Sequence, residues 1–530
     1  MEHDAPQVTV WGSRRISVSP RWVLLGILPA LMGVLVACGD DEPPVDVQAT
    51  VVAAVQATAE AQVTPTAEPN LQPRVTQASA GIRTDNTLIA EVSVLLDRPG
   101  RVYIEYENAE AGSFRTRTTE SIAADHTVPV VRLRPSSTYT YRAFTVDEGG
   151  LASEGVGGSF TTGELPEALA RMELTVEGSP TDLVMFDLED NPDSYYVVLD
   201  QDSVVVWYYL HVPTLAEMPV SARTVRQKPN FNLVFLEGGP LGRRFNCCLN
   251  EITPLGEFVR RLAASPIDKS VNRDFLILSN TEVIYLAHEA ITIDDTKNGG
   301  GPETDVLVDS IRIWDQTNNT TREVWNALDH FSLDQRVRWN ADRQPIAWQR
   351  ANSLAMGVRG NYIVSLANWH QVISISPDGG SIEWQLGGPD TDYFFESSAD
   401  RFYGQHTASE LRNGNILVYD NGNGRPEEDG GQYTRAVELA LNTYDLGVTK
   451  VWEYRHTPDL YAGGRGGAFR MENGNTIVNT ESNTSDPPRV IAEVDGDGNE
   501  VWKAEVRSPT MRNSFRAYSY KTILGEQRLP

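Results

Sequence analysis

NGNTIVNTESNTSDPPRVIAEVDGDGNEVWKAEV, residues 473–506, sets the fold of the whole chain. It reads as a polar turn, an apolar strand, a gap, a second strand, an Asp/Gly turn and a third strand marked by Val-Trp. The same order recurs in GNYIVSLANWHQVISISPDGGSIEWQL (360–386), and again in NGNILVYDNG with RAVELAL and TKVWEY (413–454). Looser copies occupy 183–209, 230–262 and 274–328, and Trp207, Trp325, Trp384, Trp452 and Trp502 hold one place in the unit. A repeat of about 40–55 residues with three or four short antiparallel strands cannot bury both faces alone. Six such sheets set radially can, so the pattern predicts an all-β chain with a six-bladed β-propeller over residues 175–525. The repeated tryptophans are expected to pack blade on blade. DGDGNE (495–500) reads as a hairpin turn; a calcium loop would need a later bidentate Glu that is missing, and no metal is expected.

Composition narrows the function. Lys plus Arg number 45 against 72 Asp plus Glu, a net charge of −27 over 530 residues, which repels nucleic acid and requires a local basic pocket for any anionic ligand. Arg14, Arg15 and Arg21 precede the apolar run WVLLGILPALMGVLVA (22–37), which ends in Leu35-Val36-Ala37-Cys38. That run resembles a bacterial lipobox, so residues 1–38 are expected to be a lipoprotein signal with the lipid on Cys38; a plain transmembrane anchor is the alternative. The product would be exported and lipid-anchored, at the outer side of the cytoplasmic membrane or in the periplasm. The acidic, Ala/Thr/Pro-rich stretch 39–72 reads as a tether. Cys247 and Cys248 are adjacent, and a bond between them closes no loop of entropic value, so two packed thiols are expected.

Residues 73–163 alternate apolar and polar in short runs (LIAEVSVLL, RVYIEYE, TYTYRAFTV), the signature of a small β-sandwich. LRPSSTYTYRAFTVDEGG (133–150) resembles the late strands of a fibronectin type III domain, with Tyr139 as its corner tyrosine. The module is expected to be a spacer, or to dock an envelope protein or a glycan.

Propellers bind ligands where the channel opens, beside the start of the innermost strands. The segments there, SVNRDF (270–275), WQRANSL (348–354), YGQHTASEL (403–411), GGRGGAFRM (463–471) and NSFRAYS (513–519), carry Arg273, Arg350, His406, Arg465, Arg470 and Arg516, with Asn272, Asn352, Gln405 and Ser514. Converging guanidiniums match an oxyanion. His406 is the histidine singled out; His330 and His370 read as blade residues bonded to backbone, and His456 as a surface residue.

The stretch from Trp348 to Gly388, Gln405-His-Thr-Ala (405–408), Asp-Asn-Gly (420–422) and Tyr-Thr-Arg (433–435) resemble bacterial arylsulfotransferases, over roughly residues 175–520. The resemblance implies a propeller that moves a sulfuryl group from a phenolic sulfate ester to another phenol, without a cofactor. It implies His406 and Arg435 as catalytic residues, the latter clamping the sulfuryl oxygens; the arginine-rich channel segments add Arg350, Arg273, Asn352, Gln405 and Arg516 as expected substrate-binding residues. Family members usually carry histidines where this chain has Asn272-Arg273 and Arg350, and the transiently sulfated histidine finds no counterpart between Gly464 and Val490. Arginine keeps the charge and lacks the lone pair. The alternative is therefore a lipid-anchored, catalytically silent propeller that binds sulfated or carboxylated aromatics or glycans.

Overall fold

The computed structural model describes residues 72–530 except 147–151, 154, 190–193, 213–221, 239–245, 264–269, 338–344, 482–488 and 509–514. The leader 1–38 with Cys38, the tether up to residue 71, and Ser514 lie outside the described residues. Residues Leu71–Pro530 form one compact unit.

Six blades surround a central channel. Innermost to outermost, blade 4 is Ala351–Met356, Tyr362–Leu366, Gln371–Ile375 and Ile382–Gly387. Blade 5 is Thr407–Glu410, Ile416–Asp420, Arg435–Leu441 and Gly447–Tyr454, and blade 6 is Gly467–Arg470, Thr476–Glu481, Arg489–Val494 and Glu500–Arg507. Blades 2 and 3 begin with Ala222–Gln227 and Ser270–Ile277. Blade 1 takes its innermost strand, Ala517–Tyr520, from the end of the chain, pairing Ala517 with Phe186. Glu173–Gly178 adds an outer strand to blade 6, pairing Val176 with Ala504. The ring is thus sealed by both ends of the propeller sequence.

The strand patterns follow from this stacking. Middle strands such as YIVSL and QVISI are buried at every position because blades cover both their faces. The outer strand EVWKAEVR alternates, since one of its faces meets water. The tryptophans latch neighbouring blades. Trp207 Nε1 donates to Pro254 O at 2.8 Å, Trp452 Nε1 to Asp495 O at 3.3 Å and Trp502 Nε1 to Ser203 Oγ at 2.9 Å, each acceptor lying in the third hairpin turn of the next blade. Asp495 itself accepts from the backbone N–H of Asp497 and Asn499, closing its turn.

Ahead of the propeller, Ala90–Asn108 pairs through its first half with Val75–Ile82 and Ala123–Val130, and through its second with Gly112–Arg115 and Thr138–Val146. Their inward residues make one apolar core around Val92, Ile104, Tyr106 and Tyr139. The Tyr139 hydroxyl accepts the Arg134 N–H at 2.9 Å. This region is fixed to blade 1 by Arg134, whose Nε donates to Asp200 at 2.8 Å, and to the chain end by pairing of Gln527–Arg528 with Phe114 and Arg115.

Two expectations fail. Cys248 is disulfide-bonded, not a packed thiol; the loop-entropy argument measured how little a bond would stabilise, not whether it forms. His456 is buried, not superficial, because Tyr454 and Thr480 bond its two ring nitrogens, at 2.8 and 3.0 Å.

Candidate functional site

Innermost strands of a propeller run in one direction along the channel, so residues at their starts share one mouth. His406, Arg350, Arg465 and Arg516 each lie one or two residues ahead of such a strand, and Arg223 and Arg273 lie within the first residues of theirs. Three of these arginines have left-handed backbones, with φ of +42° at Arg273, +59° at Arg350 and +71° at Arg465. Such conformations cost about 1–2 kcal/mol each for a residue with a Cβ. Strain of this kind gathers at functional sites.

His406 is buried, and its Nδ1 lies 2.9 Å from Asn421 Oδ1. The Asn421 amide nitrogen donates to Ala462 O at 2.6 Å and to Arg465 O at 2.9 Å, so its oxygen is the end that faces the imidazole. Oxygen only accepts, hence Nδ1 carries the proton and Nε2 the lone pair. Nε2 makes no hydrogen bond among the described residues. Burial, then the charges of Arg350 and Arg273, hold His406 well below the usual imidazole range, against the pull of the Asn421 bond. The ring is neutral at physiological pH.

Arg273 makes no side-chain hydrogen bond or ion pair among the described residues. Burial and then the neighbouring Arg350, Arg223 and Arg465 press its charge, with Asp309 opposing. A bound oxyanion would relieve that repulsion. Asp309 anchors the arrangement: it accepts Asn272 Nδ2 at 3.0 Å and the Ala351 N–H at 2.9 Å, fixing the segments that carry Arg273 and Arg350. Arg465 pairs with Glu481 at 3.3 Å and Glu189 at 3.8 Å.

Beneath His406 the channel is plugged. Arg516 forms an ion pair with Asp274 at 2.7 Å and donates to Asn352 O at 2.8 Å and to His406 O at 3.5 Å. Asn352 Nδ2 donates to Gln405 O at 2.7 Å, and Gln405 Nε2 to Gln371 O at 2.8 Å. Arg516, Asn352 and Gln405 are thus knitted into the floor.

Arg435 is fully engaged with protein groups. Its Nε donates to Asp420 at 3.0 Å, one terminal nitrogen to Glu453 at 3.0 Å, and the other to Ala399 O and Arg401 O at 2.9 and 2.8 Å. Arg470 ends its innermost strand at the opposite mouth, paired with Glu438 at 2.6 Å. Sequence reasoning missed Arg223, because the loose repeat at 230–262 concealed the innermost strand before it; ARTVRQ (222–227), just upstream of an apolar strand, was the available signal. It also gave Asn421 no role, although Asp-Asn-Gly stands at the end of a strand. No group of His, Cys, Asp and Glu suited to a metal ion occurs among the described residues.

The family model for arylsulfotransferase (ASST) matches residues 168–519, more than half of the chain. The chain belongs to the arylsulfotransferase family. No curated protein matches this arylsulfotransferase-family chain. Solved structures similar to it include a Bacteroides caccae protein of unknown function, 14% identical with a TM-score of 0.38, covering 66% of this chain and 98% of its own. Virginiamycin B lyase from Staphylococcus aureus is 9% identical, with a TM-score of 0.32 and coverage of 63% and 99%. A Dyadobacter fermentans protein of unknown function is 11% identical, with a TM-score of 0.29 and coverage of 82% and 99%.

Proposed function

We propose that this protein transfers the sulfuryl group of a phenolic sulfate ester to a second phenol, with His406 Nε2 as the nucleophile and Arg273 and Arg350 on the sulfuryl oxygens. One observation carries the reading: the Asn421 amide, oriented by two backbone carbonyls, leaves Nε2 with its lone pair in a field of guanidiniums. Family membership supports the reaction class. In the first step the N–S bond forms as the ester O–S bond breaks, and the phenolate leaves with the bonding pair. In the second, the acceptor oxygen attacks sulfur, the N–S pair returns to Nε2, and the acceptor's proton passes through water to the released phenolate. The guanidiniums stabilise charge on the transferring group, a contribution that electrostatic preorganisation makes large. Arg516, Asn352 and Gln405 act here as the floor that positions His406, and Arg435 as the tie that orders the segment leading into it.

The test is release of p-nitrophenol from p-nitrophenyl sulfate in the presence of phenol. Wild-type protein should release it, His406→Ala should not, and Arg350→Ala should lose about 10²–10³-fold in kcat/KM. If wild-type protein binds the ester without releasing p-nitrophenol, the silent binding propeller is the correct reading, with guanidiniums standing where the family carries imidazoles.

The leader and the first strands extend the proposal to location. We read Cys38 as the lipid-bearing residue of an exported, membrane-anchored protein, and residues 73–163 as a fibronectin type III-like sandwich that meets an envelope protein or glycan. Cys38→Ala should shift the protein from the membrane to the soluble fraction; unchanged partitioning rules the anchor out.

A further inference from the structure

We infer that the sulfate ester taken by this site carries a second anionic group on its aryl ring, a carboxylate or another sulfate, seated between Arg223 and Arg465; this rests on the sulfuryl-transfer reading above. In-line displacement puts the departing oxygen on the side of sulfur away from the attacking nitrogen. His406 stands just ahead of blade 5, and in a ring of six the blade across the channel from blade 5 is blade 2, whose innermost strand begins with Ala222 and Arg223. The donor's aryl ring then extends toward Arg223, and the acceptor enters by the same side once the phenolate has gone.

That side of the mouth is short of carboxylates. Glu189 and Glu481 end the second strands of blades 1 and 6, Arg489 opens the third strand of blade 6, and Arg465 lies just ahead of its first. In antiparallel blades all these positions fall at the end where the innermost strands start. Glu189 stands between Arg465 at 3.8 Å and Arg223 at 3.9 Å, too far from either for a hydrogen bond. Glu481 lies 3.3 Å from Arg465 and pairs in register with Arg489. Ion pairs elsewhere in the channel are closer, 2.7 Å for Arg516 with Asp274 and 2.6 Å for Arg470 with Glu438. Both contacts of Arg465 use one terminal nitrogen, and its other two guanidinium nitrogens make no hydrogen bond among the described residues. Among those residues three guanidiniums thus share two carboxylates. Asp187, the next carboxyl, spends its oxygens on the N–H groups of Phe515 and Arg516.

Arg223 is positioned for an anion. Thr224 Oγ1 donates to Arg273 O at 3.1 Å, so the strand carrying Arg223 lies against the one carrying the sulfuryl-binding Arg273. The Phe515 ring lies under the Arg223 guanidinium, 5.9 Å from its centroid. An oxyanion bridging Arg223 and Arg465 would take the charge-assisted hydrogen bonds that Glu189 does not. With the sulfuryl group at Arg273 and Arg350, the aromatic ring spans the two anion seats.

The probes are 4-(sulfomethyl)benzoate and its methyl ester, in which a methylene replaces the ester oxygen so that no group is transferred, and the protein is the full chain. By titration calorimetry, wild-type protein should bind the carboxylate about tenfold more tightly than the methyl ester. Arg223→Gln should largely abolish that preference. Glu189→Gln removes the competing carboxylate and should raise it, a gain that misfolding cannot imitate. Equal affinity for the two probes in wild-type protein, or a preference that neither substitution moves, overturns the second anion seat. Release of p-nitrophenol from p-nitrophenyl sulfate without any carboxylate preference leaves transfer standing and the second seat overturned. A carboxylate preference without p-nitrophenol release supports the seat and overturns transfer.

Discussion

At the residue scale, the proposed transfer turns on which nitrogen of His406 is bare. Asn421 decides it, because its own nitrogen is committed to Ala462 O and Arg465 O. Asn421→Leu removes the acceptor and frees the tautomer, and misplacement of this order should slow p-nitrophenol release about 10²-fold with little change in donor binding. The pH–rate profile follows with a defined sign. A nucleophilic imidazole acts unprotonated, and His406 is held below its ordinary value of 6.5. Activity is therefore expected to persist as pH falls through 6.5 and to be lost only as pH falls through the lower folded value. A loss centred at the ordinary imidazole value would place the working histidine in open solvent. The place of His406, just ahead of an innermost strand and near Arg273 and Arg350, was legible in the sequence, since the segments before the apolar strands could be read from the repeat. Asn421 was not: it acts through an amide orientation that only the surrounding carbonyls define. The partners of Arg435 were illegible for a related reason, because a motif shows a charge and not the carboxylates, Asp420 and Glu453, bonded to it.

At the scale of the element, blades are joined by the tryptophans of their fourth strands. Trp502 is fully buried and donates across the seam to Ser203 in blade 1. Trp502→Ala should cost about 3–5 kcal/mol in urea unfolding, while Trp502→Phe should cost clearly less, since it keeps the packing and loses only the bond. Equal losses would mean that the bond, and not the volume, holds the seam. These strands were readable because Val-Trp and Asp/Gly turns repeat in phase. The innermost strand of blade 2 was not, since Ala222–Gln227 is polar and its repeat has Phe258 and Val259 where others carry Val-Trp. Its channel arginine, Arg223, was hidden with it.

For the whole molecule, closure and pH dependence are linked through buried carboxyls. Asp187 accepts the N–H groups of Phe515 and Arg516 and so holds the closing strand, and Asp309 holds the entry to blade 4. Burial pushes both up to about 7 from 3.8. The folded state then binds these protons more tightly than the unfolded chain, so their contribution is complete below about pH 4 and is lost as pH rises through about 7. His456, lowered to about 4 by burial, works the other way: its contribution is present above 6.5 and lost as pH falls through about 4. Thermal unfolding across this range should show stability falling on the alkaline side, and Asp309→Asn should flatten that limb; an unaltered slope would mean that Asp309 stays ionised. The ring itself, and the closing innermost strand that NSFRAYS (513–519) leads into, were evident from repetition, but the outer seal by Glu173–Gly178 depends on a pairing between distant segments that no local pattern reveals.

The most direct test of the account is rapid mixing of the full chain with p-nitrophenyl sulfate and no acceptor, followed by peptide mass spectrometry. The account predicts a burst of p-nitrophenolate stoichiometric with protein and an acid-labile sulfuryl group on the peptide containing His406. Release without a burst or adduct, or an adduct that survives in His406→Gln, would contradict it.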